Sequence, residues 1–425
     1  MNEVLDDLLK IYLSTIDSYN SKIYQTVNDK YTIIDKSMIT VYLFIKIIED
    51  RKEQNDEVAV LIANYLLKQN IYGETGSLSF EISDKSKREL YNELLEKLIL
   101  EKYDYKNRVL KQLNYNYKIL QKNKYTELLT FLEDIAEFSI FNKMIERGNN
   151  EANSMLLKLK EKITSKIIDT NDYFFKEKNE LIQLIKDNNF IESTYGNLVN
   201  VALNLRDVYR YSSVTIVIPE NVLFHQYSVT IASLLICEYS NKALNENIDE
   251  YSILTKALFH DFGEYKGTEI VTQFKNYNDV TKKMFAEIEE NDEKELEGRI
   301  GTNLYNIISD YKNGAEGFIV EMVDKMLGIM KLWIEAGILN NYIAIKSIVS
   351  VYQDRFKRFL KVYKIEEIKN KEFYINLLRE CYIYVKENLV EKDINVFLKY
   401  FTQEELKQFR EEIKLLKDKP EMFLK

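Results

Sequence analysis

Ala257-Leu-Phe-His-Asp-Phe-Gly-Glu-Tyr-Lys-Gly-Thr-Glu269 is the stretch on which the reading of this chain turns, because it sets His260 beside Asp261. Histidine is otherwise nearly absent: the 425 residues hold two, His225 and His260. His225 lies upstream in Glu220-Asn-Val-Leu-Phe-His-Gln-Tyr, where an apolar run begins. Asp324 lies downstream in Phe318-Ile-Val-Glu-Met-Val-Asp-Lys-Met-Leu327, the most apolar helical pattern of the chain. Imidazoles and carboxylates brought from separate helices into a bundle interior form a donor set for one divalent transition-metal ion. A carboxylate buried there needs a cation or a base to offset its desolvation. Singly, these residues read as core histidines, a helix-capping aspartate and a salt-bridged aspartate. The ordered set of His, His-Asp and Asp, in a chain with no other histidine, points to a metal.

The rest of the composition bounds the fold around that site. With 2 Pro and 12 Gly in 425 residues, the tight turns of a β-sandwich or a doubly wound sheet are not provided for. Long amphipathic runs of Leu, Ile, Lys, Glu and Tyr read as an all-α protein, and the length reads as two domains. The net charge of −9, with acids and bases interleaved, argues against a binder of duplex nucleic acid. No run of eighteen apolar residues is present and the N-terminus is acidic, so no membrane span or signal peptide is expected. Cys237 and Cys381 sit in apolar runs, as reduced thiols of a cytoplasmic protein would.

Along the chain, residues 1–30 read as one helix, with Leu5, Leu8, Leu9, Tyr12 and Leu13 on one face. Further helices are expected over 36–49, 57–70, 227–239, 249–260, 278–290, 296–312, 317–337, 344–363, 371–386 and 404–416, with Tyr265-Lys-Gly-Thr268 as a loop. This divides the chain into a helical N-terminal domain over 1–187, a domain over 188–390 that contains the donor set, and a charged C-terminal helix over 391–425. The two large parts share a grammar at a nearly constant offset. Lys36–Ile45 parallels Tyr227–Ile236, Lys87–Glu96 parallels Lys282–Glu290, and Phe131–Gly148 parallels Ile319–Gly337. If that is a duplication, the first copy has kept Asp134 opposite Asp324 but has Leu66-Leu67 where His260-Asp261 stands, and it contains no histidine.

Together these features resemble the HD-domain metal-dependent phosphohydrolases, and the local detail resembles their 5′-deoxynucleotidase (YfbR-like) branch over about residues 195–345. In that branch an Arg-aromatic pair stands fifteen residues before the first His, as Arg210-Tyr211 does here, with a Glu-Asn-Val element between, here Glu220-Asn-Val222. The branch carries a Glu three residues after its His-Asp and an acid five further on, here Glu264 and Glu269. Its last Asp stands in a setting like Val323-Asp324-Lys325.

The resemblance implies an HD helical bundle in the C-terminal half. It implies that His225, His260, Asp261 and Asp324 hold one divalent transition-metal ion (Co, Mn, Fe, Ni or Zn, with Mg less favoured). Glu264 or Glu269 would activate the nucleophile, Arg210 would clamp the phosphate, and Tyr211 would help exclude a 2′-hydroxyl. The implied reaction is phosphate release from nucleotides, foremost deoxynucleoside 5′-monophosphates. A dNTP triphosphohydrolase or a cyclic or oligonucleotide phosphodiesterase, regulated by the N-terminal part, is the alternative. Lys266 and Lys325 would be secondary phosphate neighbours or, more simply, solvated charges. The N-terminal half would be a degenerate HD-like partner, giving a monomer with an internal pseudo-dimer, or else a homodimer forms. Three positions depart from the pattern: Tyr211 in place of Trp, Gln226 in place of Ser after the first His, and Glu269 in place of Asp.

Overall fold

A computed structural model describes residues 2–20, 22–25, 30–72, 87, 94, 125–211, 216–266, 278–335, 339, 341, 359, 368–391 and 402–419. Within them the chain is built from helices, as the periodicity requires, with one small hairpin. The helices are α1 (Asn2–Asn20), α2 (Ile33–Arg51), α3 (Asp56–Tyr72), α4 (Thr126–Glu146), α5 (Ala152–Thr164), α6 (Phe175–Lys186) and α7 (Thr194–Asp207). They are followed by α8 (Val222–Ala243), α9 (Glu250–Phe259), α10 (Asp279–Ile300), α11 (Thr302–Asp310), α12 (Gly314–Trp333), α13 (Lys371–Glu391) and α14 (Gln403–Asp418).

Three expectations are corrected. The helix read over residues 1–30 ends at Asn20, and β1 (Lys22–Gln25) pairs antiparallel with β2 (Lys30–Thr32). The cause is the start of α2: Thr32 and Asp35 form a capping box, which holds Thr32 extended at φ −106°, ψ 166°. The helices read over 278–290 and 296–312 are divided elsewhere. α10 runs unbroken to Ile300, and the turn falls at Gly301, whose φ of 89° glycine adopts without strain. The expected loop at 265–268 begins instead as a 3₁₀ turn over Phe262–Lys266. The paired segment Lys87–Glu96 and the segment 344–363 lie outside the described residues, apart from Lys87, Leu94 and Phe359.

α8 is the axis of the assembly. It packs against α9, α12, α1 and α7, and α12 in turn packs against α9 and α13. Nearly all of α8 from Val222 to Glu238 is buried, so its polar residues must find partners inside. Tyrosine hydroxyls from the first helices meet part of this need on α8 and just before it. Tyr42 of α2 donates to Gln226 Oε1 at 2.8 Å, and Tyr12 of α1 donates to Glu220. In the other direction Tyr227 donates to the Leu66 carbonyl at 2.8 Å, and Tyr251 of α9 donates to Glu49 of α2. The Gln at 226 thus has a local reason: it reaches a tyrosine of α2 that a serine could not. The helices on both sides of residue 187 share one apolar core.

Candidate metal centre

Helix ends set the two histidines and Asp261, while Asp324 and Arg210 are placed otherwise. Asn221 caps α8 by accepting from the Phe224 amide at 2.8 Å, which fixes where the helix starts and places His225 in its first turn, facing inward. Asp249 caps α9 in the same way, and His260-Asp261 follows where that helix closes. Asp324 projects from the middle of α12, among Val320, Val323 and Leu327. Arg210 and Tyr211 stand on a loop closed at its base by an antiparallel bridge. There the Arg210 amide donates to the Glu220 carbonyl at 2.8 Å, and the Val222 amide donates to Val208 at 2.9 Å. The far side of that loop is fastened to α12 and its end. Glu335 accepts from the amides of Val217 and Ile218 at 2.8 and 3.0 Å, while Lys331 donates to the Ile218 carbonyl at 2.7 Å.

His225, His260 and Asp324 each offer a ligand atom, and these atoms lie within 4.8 Å of one another. His225 Nε2 is 2.8 Å from Asp324 Oδ1, and the two imidazoles stand 5.3 Å apart by ring centroid. Asp261 completes the group, its Oδ2 being 3.2 Å from His260 Nε2 and 3.8 Å from His225 Nε2. The His260 ring is oriented by Nδ1, which donates to the Ala257 carbonyl at 2.8 Å. That leaves Nε2 buried, aimed into the cluster and without a hydrogen-bond partner. An orphaned imidazole nitrogen whose other nitrogen is tied to a carbonyl is the arrangement of a metal ligand, so this donor set fits a divalent ion.

The charges follow the same logic. Burial alone would raise the carboxyls of Asp261 and Asp324. His260 and Arg210 hold Asp261 below the usual carboxylate range, and Lys325, His225 and Arg210 do the same for Asp324. Burial opposes protonation of His260, but the carboxylates of Asp261 and Asp324 outweigh it and raise it to about 9. Both carboxylates therefore stay ionised in the buried pocket, as metal ligands must be.

Arg210 caps this pocket, with Nη1 3.2 Å from Asp261 Oδ2 and Nη2 3.4 Å from Asp324 Oδ1. Tyr211 follows it with φ 61°, a conformation that is costly for a bulky side chain, and its ring lies 5.8 Å from the Arg210 guanidinium carbon. Glu264 is exposed on the 3₁₀ turn one turn beyond Asp261, and Glu269 lies outside the described residues. Lys325, expected as a solvated charge, is instead partly buried and pairs with Asp324 at 2.5 Å and Glu321 at 3.2 Å. Lys266 is a surface lysine between Asp292 and Glu295, both at 2.6 Å. Sequence reasoning assigned no role to Glu220, which is buried with Oε1 3.2 Å from His225 Nδ1. Its motif, Glu-Asn-Val five residues before the histidine, was visible but its partners were not.

A histidine at the start of one helix, a His-Asp pair at the end of the next and an aspartate inside a third define an HD-type helical domain. Comparison with known proteins agrees: the segment of residues 197–343, about a third of the chain, matches the model of the 5′-deoxynucleotidase YfbR-like family. Arg210, Tyr211, His225, His260, Asp261, Glu264, Glu269 and Asp324 all fall inside it. The chain is also similar to 4′-phosphooxetanocin A phosphatase of Priestia megaterium, at 27% identity over 129 residues, which is 30% of this chain and 66% of that protein. No solved structure matches.

Proposed function

We propose that the chain is a metal-dependent phosphohydrolase that releases phosphate from nucleotides, with deoxynucleoside 5′-monophosphates as the foremost substrates. One observation carries the proposal: two buried imidazoles and two carboxylates converge inside a YfbR-like segment, with an arginine across their mouth. The similarity to a protein named as a phosphatase supports the same reading.

His225, His260, Asp261 and Asp324 would hold one divalent transition-metal ion. When bound, such an ion supplies Lewis acidity at phosphorus and lowers the pKa of water. Arg210 pairs with the two carboxylates here. With their charge neutralised, its planar fork is free to take two phosphate oxygens and to balance charge that develops in transfer. Tyr211, held next to Arg210 by an unusual backbone conformation, forms the wall against the sugar and disfavours a 2′-hydroxyl. Glu264, three residues beyond Asp261, is the candidate to orient the attacking water and take its proton, with Glu269 the second.

Residues 1–187 are proposed as a degenerate copy that serves as an internal partner, which makes the protein a monomer in solution, measurable by light scattering. Buried, unpaired Cys237 and Cys381 support a cytoplasmic location. Among the described residues no helix is long and apolar enough to cross a membrane.

The test is inorganic phosphate release from nucleoside mono-, di- and triphosphates and cyclic nucleotides with Co²⁺, Mn²⁺ or Mg²⁺. Release from deoxymonophosphates that requires metal and vanishes in Asp261→Ala is expected. Turnover of triphosphates or cyclic nucleotides alone would replace the proposal with the triphosphohydrolase or phosphodiesterase alternative.

A further inference from the structure

Glu220 is a carboxylate at 1% exposure, an expensive place for a charge unless each oxygen is engaged. Its Oε1 faces His225 Nδ1 at 3.2 Å, close but off the line of a good hydrogen bond, and Arg210 Nε at 3.7 Å. Its Oε2 accepts from the hydroxyl of Tyr12, which is itself buried, its ring centroid 6.4 Å from that of Phe224. Tyr12 belongs to α1, far outside the 197–343 segment that matches the family. α1 does not need this hydroxyl to dock, because Val4, Leu5, Leu8, Leu9, Ile11 and Ile16 already bury its apolar face.

We propose that Tyr12 is a positioning residue for the metal centre: by holding one oxygen of Glu220, it aims the other at Nδ1 of His225. This rests on the reading of His225 as a metal ligand. An imidazole that gives Nε2 to a cation carries its proton on Nδ1, and a fixed carboxylate facing that nitrogen sets the ring plane and strengthens the ligand. Without the Tyr12 hydroxyl, Glu220 keeps its charge but loses the bond that fixes its rotamer, so His225 is no longer preset. The first helix of the chain thereby becomes part of the machinery of a domain that starts nearly two hundred residues later.

The test is Co²⁺ affinity, measured by calorimetry on the full chain, for wild type, Tyr12→Phe, Glu220→Gln and the double variant. Tyr251→Phe serves as a control that removes another buried tyrosine–carboxylate bond between an early helix and α9. Loss of a partner behind a metal ligand weakens binding by roughly 10- to 100-fold. Tyr12→Phe is expected near the low end of that range, and Glu220→Gln higher. The double variant should be no weaker than Glu220→Gln, because the two act in series. Tyr251→Phe should bind as wild type does. Wild-type binding retained in Tyr12→Phe, or full additivity in the double variant, would overturn the inference while leaving the metal site standing. A wild-type protein that binds no Co²⁺ would overturn both readings. Thermal melting of each metal-free variant separates these outcomes from general destabilisation: an affinity loss that tracks the melting temperature, with Tyr251→Phe included, would also count against a positioning role.

Discussion

Two inward-facing aspartates, Asp324 on α12 and Asp134 on α4, which the sequence parallel pairs with one another, have different surroundings. Asp324 faces two imidazoles and a second carboxylate, with Arg210 and Lys325 at the edge. Asp134 faces no histidine. Lys162 and Lys166 of the α5 region take its two oxygens at 2.8 Å each. Burial raises the Asp134 carboxyl, and the two ammonium groups outweigh that and leave it lowered. The comparison teaches what a buried carboxylate requires. One half offsets its desolvation with two partly exposed lysines and offers no imidazole beside it. The other gathers two imidazoles beside two carboxylates and leaves an imidazole nitrogen without a hydrogen bond, a donor set that fits a metal.

The largest effect is expected from breaking the second arrangement. His260→Ala or Asp261→Ala should abolish metal binding and lower phosphate release by about a thousandfold or more, read by calorimetry and by phosphate assay. Next comes Arg210→Ala, expected to lower kcat by roughly 10²-fold, with Arg210→Lys recovering only part because an ammonium cannot fork two oxygens. The same change on the other side should do little: Asp134→Asn removes two pairings with partly exposed lysines, is expected to cost about 1 kcal/mol in denaturant unfolding, and should leave metal binding untouched. Asp134→Asn that weakens metal binding would break the comparison.

The smallest effect concerns carboxylates that belong to neither centre. Glu250, at the start of α9, is raised to about 7 by burial, by the charge of Glu238 and by a hydrogen bond shared with it, against the opposing pull of Lys242. An acid raised on folding destabilises the folded state when ionised. Its contribution is most favourable below the ordinary Glu range and is lost as pH rises through about 7. Because Glu250 is only half-buried, Glu250→Gln should stabilise by no more than about 1 kcal/mol at pH 8 and by nothing at pH 5, read from urea midpoints at both.

Much of this was legible in the amino-acid order. The helical periods gave the fold class, and the scarcity of histidine made His225 and His260-Asp261 stand out, with Asp324 identifiable by its apolar surroundings. What could not be read were contacts between residues far apart in sequence. Tyr12 meets Glu220 across 208 positions and Tyr42 meets Gln226 across 184, and nothing local in either stretch signals the partner. The hairpin at residues 22–32 was missed because the first helix was carried on to residue 30, and Thr32 and Asp35, which lie between the two expected helices, were not recognised as the start of the second. Lys325 was read as a surface charge because lysine ordinarily is one; its place beside Asp324 follows from the packing of α12.

The central claim is that one half of the chain holds a metal and the other half does not. The most direct measurement is the metal content of the purified full chain after loading with Co²⁺ or Mn²⁺ and removal of excess, beside His260→Ala. One tightly held ion per chain is expected, and none in the variant. Two ions per chain, or one ion retained in His260→Ala, would contradict it.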